Sequence, residues 1–126
     1  MHWFVLGVAL LLALAIIAIG ILYIASPLTA TRSFGLPSPE SGANIAWWLR
    51  LKGVRDIVSG LAVLALMMWG APSVVGIILL VEAIIPMGDM LLILAAKGST
   101  KSAYGMHGLT AVIMVLAAVP LIIGVA

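Results

Sequence analysis

The chain has 126 residues, 65% of them hydrophobic and only 8% charged, an apolar excess that a water-soluble domain of this size has no interior to hide. Six basic and four acidic residues leave a net charge of +2, and the basic ones sit beside apolar runs instead of forming a stripe that would track a nucleic acid. Cysteine is absent, which excludes disulfides, thiol catalysis and Cys-ligated zinc or iron–sulfur centres.

A helix needs about 20 apolar residues to cross a hydrocarbon layer of roughly 30 Å. Four such runs account for nearly all of this chain, so the expected fold is an all-α membrane protein, a four-helix transmembrane bundle in one domain over 1–126. The spans are expected at about 3–24, 53–69, 73–96 and 106–126. The first, Trp3 to Ile24, contains no ionisable residue. It lacks a basic leading segment and exceeds the roughly 7–15 apolar residues of a signal peptide, so it reads as a retained span. Trp3 and Tyr23 stand at its ends, where amphipathic rings favour the interface.

The segment from Ser26 to Gly42 then carries Pro27, Gly35, Pro37, Pro39 and Gly42 and reads as the one long loop. In span 2 the purely apolar part, Ile57 to Trp69, gives only about 20 Å of helix. The helix must therefore extend backwards through Asp56 and Arg55, capped by Ser41 or Asn44, with Trp47 and Trp48 at the interface. Gly53, Gly60 and Met67 recur every seventh residue, giving this helix a narrow face for close approach to a neighbour. The short Gly70 to Ser73 turn with Pro72 makes spans 2 and 3 an antiparallel hairpin. Span 3 runs to Ala96 and is ended by the polar stretch Lys97 to Lys101. Span 4 runs from about Met106 through Pro120, which membrane helices tolerate.

All six Lys and Arg residues, Arg32, Arg50, Lys52, Arg55, Lys97 and Lys101, fall on the side of loops 1 and 3. The positive-inside rule then places loop 1 (about 25–44) and loop 3 in the cytoplasm of a multi-pass protein of the cell membrane, with both termini outside.

Ionisable groups inside spans are costly, about 2.5–3.5 kcal/mol near a helix centre on insertion scales, and so need partners or a wet cavity. Counted from Ser73, Glu82 lies about 14 Å and Asp89 about 24 Å down span 3, and their spacing of seven puts them on one face. Pro86 between them has no N–H to offer the Glu82 carbonyl. Arg55 and Asp56 reach a depth comparable with Asp89, which suggests a pair of Arg55 with Asp89 or Glu82. His107 opens span 4 on the same side, and Arg32 lies in the loop expected to fold over this end. The expected cluster is thus Arg32, Arg55, Asp56, Glu82, Asp89 and His107. It is read either as a set of satisfied contacts that orient the helices or as a functional site. Arg55, Asp56 and His107 suit the first role. Glu82 is the sharpest candidate for the second, as a neutral hydrogen-bond donor or a proton carrier.

One histidine and three carboxylates lack the Glu-x-x-His or His-x-x-x-His spacing of a metal site, and none is expected. Neither histidine lies mid-span to ligate a buried haem, no nucleotide loop or Ser, His and Asp constellation is present, and no cofactor is assigned. Met67, Met68, Met87, Met90 and Met114 read as packing residues.

The segments Arg32-Ser-Phe-Gly-Leu-Pro37, Gly53-Val-Arg-Asp56 with Gly60-Leu61, Ile85-Pro-Met-Gly-Asp89 and His107-Gly108 resemble a family of small bacterial and fungal four-span membrane proteins of uncharacterised function. The resemblance covers most of the chain in order. It implies that Arg32, Arg55, Asp56, Asp89 and His107 belong to one shared feature, leaves Glu82 outside it, and brings no activity with it.

Three functions follow as expectations. The first is a non-enzymatic accessory or interaction subunit of a membrane complex, surrounded by the lipid bilayer and associating through its helices as a homo- or hetero-oligomer, with no nucleic-acid partner. The second is a small proton- or cation-coupled transporter using Glu82 and Asp89. The third is a membrane enzyme or binder for a lipophilic small molecule, with Asp89, His107 and Asp56 as acid, base or anchoring groups.

Overall fold

The structure, a computed structural model, describes residues 2–37, 42 and 44–125. Within them every regular element is helical: α1 (His2–Ala25), α2 (Pro27–Arg32), α3 (Ile45–Trp69), α4 (Pro72–Glu82), α5 (Ile84–Ala95), a single turn α6 (Thr100–Ser102), a π-helical segment (Ala103–Gly108) and α7 (Leu109–Ile123). Three helical stretches are long and apolar enough to cross a membrane: Trp3–Ala25, Pro72–Ala95 and Thr100–Ile123. Only 22%, 22% and 28% of their most apolar windows is buried, so most of that apolar surface faces outward, with Leu11, Ile21, Ile77, Leu80, Leu92 and Leu116 among the exposed side chains.

The expected second span differs. α3 is 25 residues long, but Arg50, Lys52, Arg55 and Asp56 fill its first half, and it is not among the helices apolar enough to cross by composition. What it has instead is a seam of small residues against α1. A Cβ on Gly53 would stand 2.6 Å from the Gly20 carbonyl oxygen, one on Gly20 would stand 2.6 Å from that of Gly53, and one on Gly60 would stand 2.6 Å from that of Ala13. The order of these contacts makes the helices antiparallel. The sequence period of seven is thus realised as close backbone approach, the dispersion-driven packing on which helices in lipid depend.

α4 repeats the device against α7, where a Cβ on Gly76 would stand 2.7 Å from the Ala118 carbonyl oxygen. Gly70 and Ala71 connect α3 to α4, whose first residue is Pro72, a position where the missing N–H costs nothing. Val5, Ala9, Ala13, Val63, Val75, Leu79, Met114, Ala118 and Leu121 form a shared core in the half of the bundle nearer the two chain ends. Met114 belongs to it, whereas Met68 and Met87 are exposed and fill no gap between these helices.

Other expectations are corrected locally. Pro27, read as a helix breaker, starts α2 at its first turn. Span 3 is two helices, because Pro86 cannot bond to the Glu82 carbonyl and the ladder restarts with Met87 N–H to Ala83 O at 3.3 Å. The last span begins at Thr100 and not Met106, capped by the Ser99 hydroxyl, which accepts from the Ser102 N–H. Asn44 flanks α3 without a side-chain capping bond, and Ser41 and Pro39 lie outside the described residues.

The long loop returns to the bundle at Gly35 (φ +113°), whose carbonyl accepts from the Ser99 N–H at 2.8 Å. α5 ends in a Schellman arrangement, Gly98 N–H to Ile93 O at 2.9 Å and Lys97 N–H to Leu94 O at 3.1 Å, with Lys97 at φ +56° where glycine is usual. A Cβ on Gly98 would collide with the Gly35 carbonyl, so this glycine serves the loop contact.

The seam gives a direct test. Gly53→Ala and Gly60→Ala should each lower stability by about 1–3 kcal/mol through overpacking, whereas Gly7→Ala, with nothing within 4 Å of the new Cβ, should leave it unchanged or raise it. Thermal unfolding of the detergent-solubilised variants checks the contrast.

Candidate functional site

The face of α3 that meets α1 is Gly53, Asp56, Gly60 and Val63, all buried, a stripe with the three- and four-residue spacing of one helix side. Asp56 is therefore carried into the bundle by its glycine neighbours, and at 8% exposure it is the buried charged residue among those described. One turn earlier, the Lys52 ammonium donates to Asp56 Oδ2 at 2.7 Å. It also lies 4.3 Å from the centre of the Tyr23 ring and 5.1 Å from that of Phe34, distances at which a cation is drawn to an aromatic face. Tyr23, expected at the membrane interface, is 2% exposed; its ring forms a wall around Lys52.

Opposite stands His107. The Leu109 N–H reaches back five residues to the Tyr104 carbonyl, a π turn that holds an extra residue and rotates what precedes it relative to a regular helix. His107 Nε2 lies 2.8 Å from the Phe34 carbonyl oxygen, its ring centre is 4.5 Å from that of Phe34, and Nδ1 is 3.6 Å from Asp89 Oδ2. A carbonyl only accepts, so Nε2 carries the proton in that bond. The Nδ1 contact with Asp89 is then attractive when a second proton lies between them, and with it the pair is neutral as a unit. His107 thus anchors the loop through Nε2 and sets Nδ1 beside Asp89.

Between the α1–α3 pair and the α4–α5–α7 group lies a cavity of about 270 Å³. Its floor is the apolar core, at Ala13, Val63, Leu79 and Met114; its sides are Leu12, Ile16, Ile19, Leu22, Ile85 and Pro86; its polar end is Tyr23, Ser33, Phe34, Lys52, Asp56, Asp89 and His107. Ser59, Glu82 and Thr110 line it as well. The Thr110 hydroxyl is used by its own helix, donating to Met106 O at 2.6 Å. Among the described residues, Glu82 and Ser59 have no hydrogen-bond or ion-pair partner.

Of the six residues expected to cluster, the structure brings four around this cavity: Asp56, Glu82, Asp89 and His107. Arg32 and Arg55 are exposed and line no part of it. The expected pairing of Arg55 with Asp89 or Glu82 is absent among the described residues, because Arg55 precedes Asp56 by one residue and so lies about 100° round the helix from it. Arg50, a neighbour on α3, instead donates from Nε to the Ile24 carbonyl at the end of α1, at 3.1 Å. The residues that the sequence reading passed over are Lys52, Tyr23, Phe34 and Ser59. Lys52 was open to discovery, since Lys52 and Asp56 are four apart and share a face. No three of His, Asp and Glu converge as a metal site among the described residues.

Helices apolar enough for a membrane, packed through glycine seams around a polar-ended cavity, define the class of protein. Within it, the chain belongs to the family DUF4267, a domain of unknown function, whose model matches residues 13–121. No curated protein and no solved structure shows significant similarity to it.

The geometry reassigns the partner of Asp89. In double-mutant cycles, Asp89→Asn and His107→Gln should show an interaction energy of about 0.5–3 kcal/mol in unfolding, whereas Asp89→Asn and Arg55→Gln should add within about 0.5 kcal/mol.

Proposed function

We propose that this is a multi-pass membrane protein whose cavity binds a lipophilic small molecule, its polar group met by the acidic side chains of the lining, Asp56, Glu82 and Asp89. The observation that carries this reading is the cavity itself, which joins an apolar floor and walls to a small set of convergent polar groups, the pattern of a binding site for an organic ligand. Its volume lies near the lower end of the roughly 300–1,000 Å³ typical of such sites, so the ligand is small. The cavity favours this reading over that of an accessory subunit.

In the proposed topology α3 is the fourth crossing. It runs beside α1 through the glycine seam, and its charges are covered: Lys52 and Asp56 by each other, Arg50 by the Ile24 carbonyl. Exposed Arg55 lies close enough to the polar end to extend its head toward the interface. Loops 1 and 3, with all six basic residues, are then cytoplasmic and both termini are outside. A reporter active only in the cytoplasm, fused after Ala126, should give no signal, and a strong signal would reverse the orientation.

Ligand binding is tested by filling the cavity. A neutral, environment-sensitive naphthalene dye should gain fluorescence with the purified native protein and lose that gain with Thr110→Phe, which places a ring in the cavity. Equal signals from the two proteins would place the dye on the outer apolar surface and remove support for the site.

A further inference from the structure

The charged groups of the cavity balance in pairs, with one exception. Lys52 and Asp56 are in direct contact at 2.7 Å and cancel. His107 and Asp89, 3.6 Å apart, cancel when one proton lies between them, and the Phe34 carbonyl fixes the other ring nitrogen as a donor. Arg32 and Arg55 are exposed and do not line the cavity. Glu82 lines it without a partner among the described residues, seven residues and about 10 Å of helix from Asp89, too far along the axis to share its histidine. Ser59, one turn beyond Asp56 on α3, likewise faces the cavity with a hydroxyl that no described residue engages.

Three features bear on what fits there. The lining holds three carboxyl groups, Asp56, Glu82 and Asp89, against the Lys52 ammonium and the His107 ring. The walls beside it, Ile16, Ile19, Leu79 and Ile85, are apolar, so an opposite charge brought next to the carboxylate is screened far less than in water. The helix is broken beside Glu82, where Pro86 has no N–H to give and Ser59 adds a hydroxyl to the lining. An acidic side chain and a hydroxyl that no described residue engages both accept hydrogen bonds from an N–H cation, and a carboxylate–ammonium hydrogen bond is about twice as strong as a neutral one.

We infer that the ligand of this cavity is a monocationic amphiphile, a protonated amine on a compact apolar body, with its ammonium group on Glu82 and Ser59 and its body against the apolar walls and floor. This rests on the proposed ligand-binding role and specifies the class of ligand. A neutral alcohol of the same shape fills the same volume but brings no charge to pair with the Glu82 carboxylate, and a carboxylate of that shape brings a like charge beside it.

The test is a matched series, 4-phenylbutylamine, 4-phenylbutanol and 4-phenylbutyrate, titrated by calorimetry against the full-length protein in nanodiscs, with empty nanodiscs subtracted. The amine should bind at least about tenfold more tightly than the alcohol, a difference of about 1.4 kcal/mol, and the butyrate should bind least. Glu82→Gln should bring amine and alcohol within about threefold of each other, and Glu82→Asp, which keeps the charge, should retain the preference. Thr110→Phe should abolish binding of all three. Equal affinity of amine and alcohol in the native protein, with both lost in Thr110→Phe, would overturn the cationic ligand and leave the cavity as a binding site. Binding of the series unaffected by Thr110→Phe, or none above empty nanodiscs, would overturn both. Should Glu82→Gln fail to fold, the native amine-to-alcohol ratio still decides, since a ratio near one refutes the inference.

Discussion

The backbones of α1 and α3 touch at Gly20, Gly53 and Gly60, and the position of the polar groups follows from that contact. Helices immersed in lipid gain no hydrophobic free energy by meeting, because the surroundings are as apolar as their side chains; they associate where backbones come close enough for dispersion and weak polar contacts to accumulate. A seam of glycines selects which face of α3 turns inward. Asp56 lies on that face and is carried with it. Once a carboxylate is inside, a cation must follow, and Lys52, one turn away on the same side, is in reach without any change of backbone. Tyr23, at the same end of α1, then meets the ammonium with its ring.

The α4–α5–α7 side of the bundle is built differently. α4 and α7 are tight at Gly76, but beyond Glu82 the chain breaks at Ala83, and on the facing segment the π turn before Leu109 adds a residue to the helix. Both irregularities lie at the level of the cavity, and both interrupt the regular ladder of helical hydrogen bonds. The broken helix contributes Glu82, Ile85 and Pro86 to the lining of the cavity, and the π segment contributes Met106 and His107. The loop closes it by a few specific bonds, Phe34 O to His107 and Gly35 O to Ser99, at a position where Gly98 can carry no side chain.

Much of this architecture is legible in the sequence. The spacing of Gly53 and Gly60 marks the packing face, the Gly70 to Ser73 turn marks the hairpin, and the interval between Glu82 and Asp89 marks a common face on either side of Pro86. The pairings are less so. Assigning Arg55 to the acidic residues of the next helix relied on depth alone, whereas a helix fixes angle as strictly as depth: with Asp56 inward at the glycine face, Arg55 must turn away and Lys52 must not. That step needed only the 3.6-residue period. Tyr23 was set at the interface by its residue type and its place at a span end, and nothing in the sequence of α1 tells that α3 brings an ammonium to it. The π segment has no signature of its own here, since Ala103 to Gly108 reads as the opening of an ordinary helix, and the angular displacement of His107 that brings it to Phe34 becomes visible only in three dimensions.

The arrangement also separates two roles that buried charges can play. A paired charge offsets its own desolvation, and removing one partner leaves the other exposed to the full penalty, so such pairs fix a structure once formed. Lys52 with Asp56 and His107 with Asp89 are of this kind; each joins two turns or two elements and each is tied to Phe34, the residue that closes the polar end. Glu82 has no such tie. It stands at the end of α4, where the helix is already broken, so its carboxyl helps to hold no pair of elements together. A carboxyl group that the fold does not use for its own cohesion is thereby set apart from the two pairs that line the same cavity.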